Sequence, residues 1–368
     1  MWYKRLEINL YNLKENLKAL KKLLPKETQI LAVIKNDAYG HGLLEVARTL
    51  SQEGVFGFGL SEPCEAYLLR KAGFIHPILL LSGFEKDWLL DIYSLRITPT
   101  VVNLHTLNWL IEFTLKKGIT LEFHLKVDTG MHRFGLPLEE LDLFLEKLKE
   151  NPQLKLIGLM THFSAAEDVE HELTKTQLKS FEKVQSYLEK RGIYPKFIHF
   201  ANSAGIIFFN EKGNLVRPGI SLYGGYPTFK ARTYLKLKPV MTLKSKVIEI
   251  KKIKRGEYAG YGPFFQAQRD TLLGLVPVGY GDGYFRSLSN KGFASIRGKR
   301  VPVVGAISMK VLHLDLTELE SPQIGEEVIL VGGEREEVPA DELAQLAGTI
   351  SYELFCSLGK TLPKVFKS

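Results

Sequence analysis

Eight short runs of aliphatic and β-branched residues recur along the first two-thirds of the chain, separated by longer segments with the spacing of amphipathic helices. This alternation is what a parallel α/β sheet demands of a sequence. The runs fall at residues 30–34, 55–60, 78–81, 97–102, 121–127, 154–160, 197–200 and 215–217. Eight such units predict a closed (β/α)8 barrel of the TIM type. Between them, residues 139–149 (EELDLFLEKLK) set leucines and Phe144 on one face and charges on the other, as a helix covering a barrel does. A doubly wound dinucleotide fold would need GxGxxG after its first strand, and the nearest match, Gly57-Phe-Gly59-Leu-Ser-Glu62, lacks the third glycine.

Beyond residue 232 the texture changes to short strands cut by Gly and Pro turns, as in LLGLVPVGYGDG, KRVPVVGAI and GEEVILVG. The expected organisation is therefore an α/β barrel over residues 1–232 and a C-terminal, mostly-β domain over 233–368. A length of 368 residues suits two such units.

Hydrophobic residues at 45% and charged residues at 24% are the balance of a soluble globular protein. The net charge of +8 comes from scattered residues such as Lys14, Lys18, Lys147 and Lys149, with no basic stripe interleaved with aromatics, so no nucleic-acid partner is expected. Glu7, Lys14 and Glu15 interrupt the N-terminal apolar residues before signal-peptide length, and the apolar run at 77–81 is far short of the roughly 20 residues that span a bilayer. Two distant cysteines, Cys64 and Cys356, imply no disulfide framework, and a cytoplasmic location is expected. The nine histidines show no HExxH or paired Cys/His spacing, so no metal is expected.

In eight-stranded barrels the chemistry gathers at the carboxyl ends of the strands. Here the first strand runs into Lys35 and the turn Asn-Asp-Ala-Tyr39-Gly-His-Gly42, the fifth is followed by Asp128-Thr-Gly-Met-His-Arg133, and the sixth by Thr161-His162. The seventh is followed by Asn202-Ser203-Ala-Gly205, and the eighth carries Arg217-Pro-Gly219-Ile220. Singly these are ordinary: a solvated lysine, an interior histidine, an arginine paired with a carboxylate, turn glycines. Together they are the parts of a pyridoxal 5′-phosphate site. An aldehyde cofactor needs a primary amine whose pKa can be lowered. Its phosphate needs hydroxyls and free backbone N–H groups, and its ring nitrogen needs a partner.

The blocks AVIKNDAYGHG, LKVDTGMHRFGL, THFS, ANSAG and RPGISLYG resemble, in order, the signatures of the alanine racemase family. GEYAGYGPFF, VPVGYGDGY and ISYELFC extend the resemblance through the second domain, so that it runs from Arg5 to Cys356. The resemblance implies pyridoxal phosphate held on Lys35 as a Schiff base, with Lys35 and Tyr261 as acid/bases on opposite faces of the substrate α-carbon. It implies that Arg217 faces the ring nitrogen and that His162 links it to Tyr261. Tyr39, Ser203, Gly219, Ile220 and Tyr352 match the phosphate-binding positions. Arg133 matches the residue binding the substrate carboxylate, Lys126 a lysine that many members carry carbamylated, and Met309 and Tyr280 match positions at the substrate and its entrance. It further implies a homodimer with shared sites and interconversion of L- and D-alanine, supplying D-alanine for peptidoglycan.

One block departs from the family. Ser308-Met309-Lys310 stands where Cys-Met-Asp is usual, which reverses a charge beside the pocket. Two other functions compete with racemisation: a pyridoxal phosphate carrier on the same barrel, which would lack the β domain and Tyr261, and a barrel-plus-β decarboxylase, which would lack GEYAGYG, ISYELFC and the strand-eight arginine.

Overall fold

The structure, a computed structural model, describes residues 3–368. After a short strand β1 (Arg5–Asn9), the barrel strands follow as β2 (Gln29–Val33), β3 (Gly57–Leu60), β4 (Ile78–Leu80), β5 (Thr100–Val101), β6 (Leu121–Lys126), β7 (Leu154–Met160), β8 (Phe197–His199) and β9 (Leu215–Val216). Each coincides with one of the eight expected runs. They pair in parallel as two ladders, β4-β3-β2-β9 and β5-β6-β7-β8. Parallel bridges Leu79 to Thr98 and Asn202 to Arg217 join the ladders and close the barrel. The run at 97–102 contributes only two strand residues because Pro99 has no N–H to give the ladder.

The covering helices bury the face their spacing predicts. Helix Leu10–Lys21, capped by the Asn9 side chain, buries Leu13, Leu17 and Leu20, and helix Leu141–Glu150 buries Leu141, Phe144 and Leu145. At about 2 kcal/mol for each large apolar side chain taken from water, these stripes hold the helices on the barrel.

The remaining strands are β10 (Met241–Lys246), β11 (Glu249–Ile253), β12 (Thr271–Val276), β13 (Phe293–Ile296), β14 (Lys299–Val304), β15 (Leu312–Asp315), β16 (Glu327–Val331) and β17 (Lys364–Lys367). They form one sheet in the order β11-β12-β15-β14-β13-β16-β10-β1-β17. The first strand of the chain thus belongs to this sheet, antiparallel to β10 and parallel to β17. No described helix is long and apolar enough to cross a membrane.

Candidate active site

Lys35 follows β2 and opens a turn of unusual hand. Asn36, Asp37, Ala38 and Tyr39 all have φ between 54° and 56°, a left-handed conformation that costs L-residues roughly 1–2 kcal/mol each. The turn is over-determined by its bonds. Ala38 N donates to Ile34 O (2.8 Å), Gly42 N to Asp37 O (2.9 Å) and Leu43 N to Asp37 Oδ1 (2.7 Å). Asp37 N donates to Glu65 Oε1 at 3.0 Å, and Lys364 on β17 reaches Asp37 Oδ2 at 2.9 Å. Burial, then the nearby Arg133, lowers the pKa of Lys35 below the usual lysine value, as a nucleophilic amine requires.

The cavity beside Lys35 has a volume of about 460 Å³. Its walls carry Lys35, Tyr39, Lys126, Arg133, His162, Ser203, Arg217, Gly219, Ile220 and Tyr352. Ten of the residues marked by the sequence therefore meet in one space. Among the lining residues there are four basic side chains and no carboxylate, so the cavity is built for an anion.

At one end, Ser203 Oγ accepts from the N–H of Gly219 (3.0 Å) and of Ser221 (3.3 Å), leaving its own proton to donate inward. A Cβ at Gly219 would stand 2.5 Å from the Tyr39 hydroxyl, so only glycine lets that hydroxyl approach. The rings of Tyr39 and Tyr352 lie 6.0 Å apart, and burial raises the pKa of both, keeping their protons available for donation. Three hydroxyl donors and adjoining backbone N–H groups suit a phosphate dianion.

Arg217, 3% exposed, crosses the barrel interior. Its NH1 donates to His199 Nδ1 and His199 O, both at 2.8 Å, and its NH2 donates to Thr161 O at 2.7 Å and faces His162 Nδ1 at 3.4 Å. Among the described residues these bonds leave Nε–H as the donor without a protein partner. Burial pulls the Arg217 pKa down to about 9, so the group stays cationic at neutral pH.

The sequence marked neither His199 nor His124. Because Arg217 can only donate, His199 Nδ1 accepts, its proton sits on Nε2, and Nε2 donates to His124 Nδ1 at 2.8 Å. Burial, then the Arg217 charge, pushes His124 down to about 3 and His199 and His162 well below the usual histidine value, so all three rings are neutral. The signal available was two histidines within barrel strands, His124 between Phe123 and Leu125 and His199 after Phe197-Ile198. Glu65, Asn36 and Cys356 were likewise unmarked; Asn36 and Cys356 line the cavity.

At the mouth, Asp128 Oδ1 accepts from the N–H groups of Gly130, Met131 and His132, at 2.9, 3.0 and 3.1 Å, and shapes the loop that presents Arg133. Lys126, 4% exposed, has Leu81 O at 3.3 Å. Burial, then Arg217, Arg133 and Lys35, brings its pKa to about 7.

Three marked residues lie elsewhere. Tyr261, Tyr280 and Met309 sit on loops of the β sheet, are 73%, 45% and 57% exposed, and do not line the Lys35 cavity of their own chain. Among the described residues no group of three His, Cys, Asp or Glu side chains could hold a metal.

A barrel whose inner cavity is lined by four basic side chains and no carboxylate, followed by a β-rich sheet, defines a two-part α/β-barrel protein with a pocket suited to an anion. Residues 8–227 match the family model described as alanine racemase, N-terminal domain, and residues 240–366 match alanine racemase, C-terminal domain. The alanine racemase of Syntrophobacter fumaroxidans is 38% identical over 362 residues, covering 98% of this chain and 96% of that one. That of Thermodesulfovibrio yellowstonii is 40% identical over 360 residues, covering 96% and 94%. Among solved structures, the alanine racemase of Clostridium difficile 630 superposes with a TM-score of 0.91 at 34% identity, covering 100% of this chain and 96% of that one. The Bacillus anthracis enzyme with bound L-Ala-P gives 0.91 at 32%, with the same coverage. The chain belongs to the alanine racemase family, a family of isomerases.

Proposed function

We propose that this protein interconverts L-alanine and D-alanine with pyridoxal 5′-phosphate as cofactor, by a two-base mechanism. The observation that carries the reading is a cavity holding a lowered-pKa lysine, four basic side chains in all, three hydroxyl donors and no carboxylate. When bound, the cofactor supplies an electron sink that acidifies the substrate's α-proton. Tyr39, Ser203, Tyr352 and the backbone at Gly219 and Ile220 hold its phosphate. Arg217, kept cationic between neutral histidines, would pair with the ring nitrogen without giving up its proton. With that arginine as its partner the ring would be a weaker electron sink, which would disfavour side reactions such as transamination.

Arg133 binds the substrate carboxylate through its guanidinium. Lys35 takes or returns the α-proton on one face, and Tyr261 does so on the other; one base alone would exchange the proton without inverting the carbon. His162, accepting from Arg217, links it to Tyr261. Because Tyr261, Tyr280 and Met309 are exposed and away from their own chain's cavity, they serve the cavity of a second copy. The working unit is then a homodimer with shared sites, each protomer divided into a barrel over residues 1–232 and a β domain over 233–368 that borrows β1. A carbamate on Lys126 turns a cation into an anion that holds Arg133. The reaction takes place in the cytoplasm and supplies D-alanine to peptidoglycan.

The test is to incubate the purified protein and pyridoxal phosphate with L-alanine, then L-serine, and to follow the D-isomers by chiral chromatography. Absence of any D-product at saturating cofactor sinks the reading. Borohydride should fix the cofactor on Lys35 and fail to do so in Lys35→Ala; a trapped adduct surviving there would mean another lysine carries it.

A further inference from the structure

Tyr280 and Met309 stand on a ledge made of two loops, residues 279–283 and 308–310. Tyr280 N donates to Ser308 O (3.1 Å) and Gly281 N to Met309 O (2.9 Å), so the loops move as one piece. Beneath them lies Asp282, whose side chain is 3% exposed. Its Oδ2 accepts from Gly279 N (3.1 Å) and Lys4 Nζ (2.7 Å), and its Oδ1 from Lys310 Nζ (2.6 Å). Lys310 Nζ also donates to Gly281 O at 3.1 Å. Every polar group of this knot thus belongs to the ledge or to a lysine clamping it. The lysine that departs from the family block is one of the two clamps.

We propose that Lys310 is a positioning residue: paired with buried Asp282, it fixes the ledge that presents Tyr280 and Met309 to substrate, and so governs how alanine is admitted and held. The substrate half of this inference rests on the racemase reading and its shared site; the mechanical half does not. An unpaired buried carboxylate is costly, and an aspartate at position 310 would set a second negative charge against Asp282 where this chain has a cation. The reversed charge therefore faces inward to Asp282, and its effect on substrate passes through the position of the ledge. Lys310 is 56% exposed, so salt reaches that arm of the clamp. Alanine is a zwitterion without net charge, so long-range steering adds no salt dependence of its own.

The test compares wild type, Lys310→Met and Lys310→Arg as full-length holoenzymes. Amide hydrogen exchange at 279–283 and 308–310 should speed up roughly fivefold in Lys310→Met, with barrel amides unchanged, and return to wild type in Lys310→Arg. The KM for alanine should rise by a similar factor with kcat held within about twofold, and its dependence on ionic strength should weaken in Lys310→Met, where only the less exposed Lys4 still clamps Asp282, and return with Arg. Unchanged ledge exchange in Lys310→Met overturns the clamp. So does a loss confined to kcat, or one that Arg does not restore. Should wild type fail to racemise alanine, the substrate half is overturned with the racemase reading, and the exchange measurement still decides the clamp.

Discussion

Gly158 on β7 leaves no room for a side chain over His124: a Cβ there would lie 2.3 Å from the imidazole Nδ1, the atom that accepts from His199. The glycine is thus part of the structure that orients Arg217, two rings away. Gly158→Ala should destabilise the fold by about 1–3 kcal/mol through overpacking, measured by urea unfolding. At temperatures where both stay folded it should lower kcat/KM more than Gly192→Ala, which is strained by φ of 72° but whose Cβ meets no neighbour.

The neutral histidines set a pH limit. His41 and His124 fall to about 3 from 6.5, chiefly by burial. A base with a depressed folded-state pKa binds more protons when unfolded, so its contribution is intact above 6.5 and is lost as the pH falls from there toward 3. Each such ring should add about 1.4 kcal/mol of lost stability per pH unit in that window. Apoprotein unfolding from pH 7 to 4 should show a slope shallower by about that amount in His124→Leu; equal slopes would contradict a neutral His124.

Lys126, brought to a pKa of about 7 by burial and three neighbouring cations that outweigh Asp128, is half deprotonated at neutral pH and open to carbon dioxide. Mass spectrometry should find a carbamate whose occupancy falls as the pH drops through 7. Bicarbonate depletion should raise the KM for alanine roughly tenfold by removing a charged acceptor from Arg133. Acetate should partly rescue Lys126→Ala.

Shared sites can be tested by mixing. Lys35→Ala and Tyr261→Ala homodimers should each be inactive. Random exchange of their subunits should restore about a quarter of wild-type activity, because half the dimers are mixed and each mixed dimer has one intact site. No recovery after verified exchange would place both residues in one chain's site.

The barrel was legible because each strand is a local run and each covering helix a local stripe; 154–160 and the helix at 139–149 needed only their own neighbours. β1 was not, because Arg5–Asn9 acquires its partners only from β10 and β17, more than 230 residues away. Lys35, Arg217 and Ser203 could be read from their places at strand ends. His199 and His124 could not, because their role lies in a chain of bonds across the barrel rather than in a motif. The hand of the turn after Lys35 was equally hidden, since Asn-Asp-Ala-Tyr carries no glycine to announce positive φ.

That turn ties the reactive amine to chain made much later. Asp37 is held by Lys364 on β17, and β17 in turn lies beside β1. During synthesis the barrel's lysine emerges long before the strand that braces its strained turn. A partly made chain therefore presents Lys35 without its full brace, and the turn gains that brace only in molecules whose second sheet is already closed.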